Sequence, residues 1–452
     1  MTFYDFNFKR ELLKGIKVAK FYRPSPIQER VIPIIQDGDD LVAEAETGTG
    51  KTAGFGLPII DKIAKGEIER ALIITPTREL ATQVSNELFF LGRFCGIRTF
   101  SVYGGVGYGR QIALINRGVD IVVATPGRLK DLYKKGKIDE FNPEIVVLDE
   151  ADEMLDMGFL DDIKEIFEYI PQNRQTLLFS ATIPDEIRAL AQEILFEPKF
   201  VSIRRGKALI KQKYCVIDES QRDRAIVKLL ELEDINKCII FCRTKKEVDR
   251  LALYLQDLGF SARGIHGDLE QFERDEILKL YRSSSVKIMV ATDVASRGLD
   301  IRGVTHVFNY NIPFDLQSYI HRIGRTGRAG NLGKAFTLVS IDEIKELDRI
   351  KRGVGDDLEH IIIEYIDKSI DFSTLESIVK NIDVEKRALE FLDNISMDRC
   401  EFLEKLVTLF LNIDISHSVQ IGYDLDTIRG MNGNYRDKQK VAQADNRGKK
   451  QY

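Results

Sequence analysis

The chain is poor in the residues that would tie it together covalently or carry it into a membrane. Five cysteines are spread over 452 residues with no close Cys-x-x-Cys pair, which argues against a disulfide framework and against zinc. Cys238 and Cys242 flank or lie in an apolar run and read as buried thiols. No apolar stretch approaches the roughly 20 residues of a membrane helix. Met1-Thr2-Phe3-Tyr4-Asp5 does not open a signal peptide, so a cytoplasmic location and no membrane partner are expected. A basic excess is missing too. The net charge of −5 and pI near 5.8 exclude a uniformly basic nucleic-acid binder, and any such binding has to come from local patches. What remains, 44% hydrophobic and 30% charged residues, suits a globular chain too long for one core.

Short β-branched runs recur, among them Ala71-Leu72-Ile73-Ile74, Ile121-Val122-Val123-Ala124, Ile145 to Leu148, Cys238 to Phe241 and Lys287 to Val290, and helical patterns separate them. That alternation predicts α/β architecture, with parallel sheets covered on both faces. Polar residues after the runs, such as Thr75, Thr125, Asp149, Ser180 and Thr292, then fall at strand carboxyl ends, where ligands bind. The pattern weakens around Ile203 to Lys207, and the chain divides there into 1–206 and 207–366. Amphipathic stretches follow in 367–429, including the stripe Leu403, Leu406, Val407, Phe410 and Leu411, and predict a helical module that could dimerise. The tail 430–452 is basic, nearly without apolar residues, and reads as disordered.

Two motifs carry chemistry together. Ala45-Glu46-Thr47-Gly48-Thr49-Gly50-Lys51-Thr52 follows an apolar run and fits a phosphate loop, with Ala45 where the general pattern has Gly. Small residues let backbone N–H groups wrap phosphates, Lys51 adds a charge, and the Thr52 hydroxyl can ligate Mg²⁺. Asp149-Glu150-Ala151-Asp152 ends a second apolar run and supplies carboxylates for metal and water. The pair predicts a nucleotide triphosphatase using ATP and Mg²⁺.

With these motifs in order, the chain from Phe3 to about Arg352 resembles the DEAD-box family of ATP-dependent RNA helicases. The resemblance implies two tandem RecA-like domains. It gives Gln28 the adenine edge and Phe21 its face, in a segment preceded by Lys20 where the family usually has Gly. It places Asp149 on the metal through water and Glu150 on the attacking water. Ser180 and Thr182 would couple to Asp152, joined by His321 and Arg322. Arg325 and Arg328 would be arginine fingers, set three apart as if on one side of a helical start. Gly298 and Asp300 would approach the nucleotide, Asp300 its ribose. The implied RNA contacts are Pro76, Thr77, Arg78, Gly104, Gly105, Thr125, Gly127, Arg128, Arg243, Thr244, Gln271, Arg274 and Thr292. None of these residues reads base edges, so sequence-independent backbone binding and local duplex separation are expected. A DNA translocase of the same superfamily and an RNA clamp that never unwinds are the alternatives. Gln28 with the Asp149 to Asp152 run counts against the first, and the set Lys51, Glu150, Arg325 and Arg328 against the second.

Overall fold

The computed structural model describes residues 1–46, 48–203, 210–296, 303–327, 332–367, 398, 400–405 and 417–428. By its internal contacts the chain forms two compact units. The first comprises Met1–Ile210, Asn236–Val307 and Ile320–Lys334, and the second Lys211–Ile235, Phe308–Tyr319 and Ala335–Tyr452.

The alternating apolar runs become two parallel seven-stranded sheets with flanking helices, as the sequence predicts. In the first, Leu41–Ala45 (β1), Ala71–Ile74 (β2), Thr99–Val102 (β3), Ile121–Ala124 (β4), Ile145–Asp149 (β5), Gln175–Ser180 (β6) and Lys199–Ile203 (β7) run in the order β3-β4-β2-β5-β6-β1-β7. The phosphate-loop strand β1 and the acidic strand β5 therefore both border β6. Successive residues of a strand point to opposite faces, and the core divides accordingly. Leu41, Ala43, Ile73 and Val147 join one hydrophobic cluster, whereas Val42, Leu72, Ile74 and Val146 join the other. A sheet buried on both faces needs continuous apolar runs, which explains why these strands lack polar alternation.

The second sheet contains Ile210–Ile217 (β8), Cys238–Phe241 (β9), Ala262–Ile265 (β10), Ile288–Ala291 (β11), His306–Asn309 (β12), Gly333–Ser340 (β13) and Leu358–His360 (β14). Its order is β10-β11-β9-β12-β13-β8-β14.

The C-terminal expectation needs a correction. Ile363–Asp367 (β15) pairs antiparallel with His417–Ile421 (β16), so strand structure closes the stretch read as a helical module. Its β-branched and aromatic residues at alternate positions, Ile363 and Tyr365 paired with Ile421 and Val419, suit a ribbon. Tyr423 N–H donates to the Val216 carbonyl at 2.8 Å, and Cys215 lies 3.5 Å from the Ile421 carbonyl, which seats the ribbon on β8. Cys400–Lys405 is helical, as the apolar spacing predicts; the other amphipathic stretches and the basic tail lie outside the described residues.

Arg222 is the largest fully buried side chain of the second unit, 1% exposed. Its Nε donates to Glu219 at 3.0 Å, its Nη2 reaches Glu219 and Glu343, and its Nη1 donates to the Tyr310 and Leu338 carbonyls. One guanidinium thus satisfies the ends of three separate segments. Removing one partner of a buried charged network leaves the others unpaired, at about 3–5 kcal/mol. Arg222→Ala should lower the stability of this unit by that order in urea unfolding, and a loss under about 1 kcal/mol would contradict the assignment.

Candidate functional site

The site starts with a turn that demands glycine. After β1 the chain turns through Gly48 and Gly50, both left-handed with φ of 81° and 93°, before the helix Lys51–Lys65 begins. Only glycine takes such angles without cost. Thr49 Oγ1 donates to the Glu46 carbonyl at 2.8 Å and braces the loop. The start of a 15-residue helix gathers unsatisfied N–H groups and partial positive charge, which suits phosphate. Thr47 lies outside the described residues.

Gln28 sits against this loop. Its Nε2 donates to the Gly50 carbonyl at 3.0 Å and its Oε1 accepts from the Ser25 N–H at 3.0 Å. A Cβ on residue 50 would collide with that same amide. Gln28 therefore links the segment read as adenine-binding to the phosphate loop. Phe21 is stacked on Phe3 with centroids 6.4 Å apart. Lys20 takes φ 59°, a conformation that the family's usual Gly adopts more cheaply.

Asp149 ends β5 and Glu150 follows with φ 57°, a strained position for a non-glycine residue that costs about 1–3 kcal/mol. This turn aims two adjacent carboxylates into one place. Both are buried, and Lys51 is buried with them. Burial raises the Asp149 pKa, with Lys51 offsetting part of the rise. Burial also raises the Glu150 pKa to about 7; Lys51 and Arg325 pull it down while Asp149 and Glu153 push it up. Lys51 Nζ, Asp149 Oδ1 and Glu150 Oε2 have no hydrogen-bond partner among the described protein atoms. Buried polar atoms are normally satisfied, and a lysine opposite two carboxylate oxygens fits a magnesium-bound triphosphate. Thr52 and Asp149 offer the hard oxygen ligands that Mg²⁺ takes.

Asp152 gathers the next layer. Its N–H donates to Ser180 Oγ at 3.1 Å, and its Oδ2 accepts from the Thr182 N–H at 2.9 Å and the Thr182 hydroxyl at 3.1 Å. His321 Nε2 lies 3.8 Å from the same carboxylate, and its Nδ1 lies 3.0 Å from Glu153. Burial lowers the His321 pKa, but the hydrogen bond and charge of Glu153 and the charge of Asp152 outweigh it, so the net shift is upward. Arg322 is held by Asp293, Nε at 2.5 Å and Nη2 at 2.7 Å. The sequence points to Asp293 only as a strand-end residue and does not point to Glu153, since an acidic residue in a helix carries no sign of which cation it faces.

Arg325 is placed differently from the expectation. The helix Leu316–Ile323 ends before it, with Gly324 N–H bonded to the Ile320 carbonyl and Arg325 N–H to the Arg322 carbonyl. Arg325 thus sits in the turn after a helix, not at a helical start. Thr326 Oγ1 pins this turn to the Val304 carbonyl at 2.7 Å, and Gly327 at φ 67° lets it reverse. Arg325 is buried, with its charge acting on Glu150. Arg328, Gly298 and Asp300 lie outside the described residues.

Among the RNA candidates, Pro76 and Thr77 follow β2, Thr125 and Gly127 follow β4, Arg243 and Thr244 follow β9, and Thr292 follows β11. All stand at strand carboxyl ends. Thr77 caps the helix Arg78–Gly92 and Thr244 caps Lys245–Asp257. Gly105, at φ 85°, leaves room for the Arg78 guanidinium, which a Cβ would strike, and Gly104 adjoins it. Arg274 pairs with Glu79 at 2.6 Å, both side chains mostly buried, and so joins two protein segments. Gln271 Nε2 donates to Asp275 at 3.0 Å. In the sequence Glu79 stands only as part of the Pro76 to Leu80 run, with no sign of the partner it faces.

Comparison with known proteins gives a consistent answer. The family described as DEAD/DEAH box helicase matches residues 25–190, and the helicase conserved C-terminal domain matches residues 221–330. The chain is 47% identical over 377 residues to the DEAD-box ATP-dependent RNA helicase RhpA of Helicobacter pylori, covering 83% of this chain and 77% of the relative. It is 41% identical to the DEAD-box ATP-dependent RNA helicase CshA of Geobacillus kaustophilus, covering 86% of each. Among solved structures, S. cerevisiae Dbp5 bound to RNA and ADP BeF3 superposes with a TM-score of 0.73 at 32% identity, over 84% of this chain and 98% of that one. Mss116p bound to ssRNA and AMP-PNP gives 0.71 at 28% identity, over 86% and 83%.

The raised Glu150 pKa has a measurable sign. Between its ordinary value of 4.5 and about 7 the folded chain keeps a proton that the unfolded chain has lost, so this group's contribution to stability falls as pH rises through that window. Glu150→Gln removes the titration. The melting temperature of this variant relative to wild type, with EDTA and without nucleotide, should rise from pH 5 to pH 8; a difference that is flat or falls with pH would contradict the burial account.

Proposed function

The chain belongs to the DEAD-box ATP-dependent RNA helicase family, and from that premise we propose how its residues divide the work of an RNA-dependent ATPase that separates RNA strands. One observation carries the assignment: Asp149 and Glu150, buried at the end of β5 and each with a carboxylate oxygen that has no hydrogen-bond partner among the described protein atoms, share an enclosure with Lys51 of the phosphate loop.

The helix start after Gly50, with Lys51, binds the β- and γ-phosphates of ATP. Gln28 and Phe21 hold the adenine, and Gly298 and Asp300 approach the ribose end. Thr52 and Asp149 would hold Mg²⁺, which when bound neutralises phosphate charge. Glu150 orients the attacking water and takes its proton, a task matched to a carboxylate with a pKa raised to about 7. Arg325, with Arg328, stabilises charge developing on the transferred phosphoryl group. Ser180, Thr182, His321 and Arg322 couple the nucleotide to the second set of motifs through Asp152, Glu153 and Asp293. Thr77, Arg78, the Gly104-Gly105 turn, Thr125, Gly127, Arg128, Arg243, Thr244 and Thr292 grip the RNA backbone without reading bases. ATP binding closes the protein on RNA and disrupts a short duplex locally, and hydrolysis releases the strand.

A cytoplasmic location is part of this reading, supported by the scarcity of cysteine, with Cys215, Cys238 and Cys242 buried as free thiols. So is self-association through 367–429, supported by the apolar spacing there. Sedimentation equilibrium on the full chain and on a truncation ending near 366 tests the latter, and a monomer in both at micromolar concentration would overturn it.

Glu150→Gln should retain ATP binding while RNA-stimulated turnover falls by at least about a hundredfold, near 3 kcal/mol of transition-state stabilisation. Arg325→Ala should lower kcat far more than ATP affinity. Wild-type turnover in Glu150→Gln, with single-stranded RNA saturating, would refute the assignment.

A further inference from the structure

Tyr108 has no role in the scheme above, yet it is tied to two of the RNA-gripping loops at once. It opens the helix Tyr108–Asn116 directly after the Gly104-Gly105 turn, and it remains 38% exposed. Its ring centroid lies 4.1 Å from the guanidinium carbon of Arg128 and 4.5 Å from the Lys135 ammonium. The Tyr108 hydroxyl donates to Asp131 and accepts from Lys135 Nζ at 3.1 Å, and Lys135 pairs with Asp131 at 2.9 Å. Arg128 turns back onto the loop before Tyr108, donating from Nη2 to the Val106 carbonyl at 2.8 Å and from Nη1 to Gln111 at 3.3 Å. Gln111 Nε2 closes the circuit on the Tyr103 carbonyl at 3.0 Å. On the other flank, Arg78 occupies the space that a side chain on residue 105 would need.

The 103–108 loop is thus bracketed by arginines in the first turns of the two helices that follow β2 and β4, Arg78 in Arg78–Gly92 and Arg128 in Pro126–Lys134. Arginine has many rotamers, and an exposed one held only at a carbonyl rim would sample several directions. A π face under the guanidinium restricts it and leaves its outer edge available to an anion.

We propose that Tyr108 is a positioning residue for RNA: its ring holds the Arg128 guanidinium against the Gly104-Gly105 loop, so that Arg78, the loop backbone and Arg128 meet the phosphate chain as one preorganised surface. The proposal rests on the RNA-dependent ATPase reading. Ordering these groups before binding removes an entropic cost that RNA would otherwise meet, so the effect belongs to RNA affinity and not to the chemical step.

The test is the ATPase rate of the full chain against the concentration of single-stranded polyuridylate, at saturating ATP. Tyr108→Ala should raise the half-saturating RNA concentration about three- to tenfold, with kcat at saturating RNA and the ATP KM unchanged. Tyr108→Phe, which keeps the ring, should match wild type. Tyr108→Leu, which keeps bulk at the helix start but no π face, should match Tyr108→Ala and covers the case in which the alanine variant folds poorly. In an Arg128→Ala background, Tyr108→Ala should add no further loss, since the two act as one unit. An unchanged half-saturation in Tyr108→Leu, an equal defect in Tyr108→Phe, or full additivity with Arg128→Ala would each overturn the proposal. A wild-type ATPase indifferent to RNA would instead overturn the reading beneath it.

Discussion

Two carboxylates buried side by side are the constraint around which the first unit is arranged. Asp149 and Glu150 leave β5 together, and the left-handed turn at Glu150 keeps both pointing into the space that Lys51 enters. Burial disfavours the charged form of each, and one lysine does not fully offset that cost, so both pKa values rise. A protein with no use for that arrangement would replace it with apolar side chains of similar size, often at a gain in stability. Its presence makes sense as an enclosure for a ligand that brings its own cation and phosphate charge, and the strain at residue 150 belongs to the same design.

From that enclosure a chain of contacts leads outward. Asp152, two residues beyond Glu150, is held by Ser180 and Thr182 at the end of the neighbouring strand and faces His321. His321 and Arg322 lie one helical step apart on Leu316–Ile323, and Arg325 occupies the turn that ends this helix. A displacement of the helix would therefore move the Asp152 contact, the Asp293 pair and the Arg325 charge near Glu150 together. The Glu79–Arg274 pair adds a link between the helix that carries Arg78 and the helix after Glu270. Such a set of linked charges, each with a defined partner, gives a physical route by which nucleotide chemistry and RNA contact can affect one another.

The strand-end loops that we assign to RNA follow a second logic. Their threonines start helices and Gly105 admits the Arg78 guanidinium, so the same residues that terminate strands also organise the surface. Thr77, Thr125 and Thr244 all occupy N-cap positions. The N-terminal ends of three helices are thereby turned toward the strand ends, adding partial positive charge where local basic patches must overcome a net negative chain. This answers the difficulty that overall composition raised: affinity for a polyanion here depends on placement and not on excess charge.

Much of this was legible without coordinates. Apolar runs with a period near that of a sheet buried on both faces, broken by helical spacing, determined two parallel sheets, because such runs have no other stable home in water. The phosphate loop and the acidic run determined the chemistry, since glycine at left-handed angles, a lysine and paired carboxylates have few other joint uses. Partner choice was decided only by tertiary structure. Arg274 spends its charge on Glu79, Arg325 follows a helix and does not begin one, Arg222 is a buried hub of the second unit, and Tyr108 backs Arg128. His417–Ile421 pairs as a strand with a segment some fifty residues earlier. Apart from the local turn at Arg325, these are contacts between residues separated in the chain, and sequence periodicity reports which face a residue takes but not what stands opposite it.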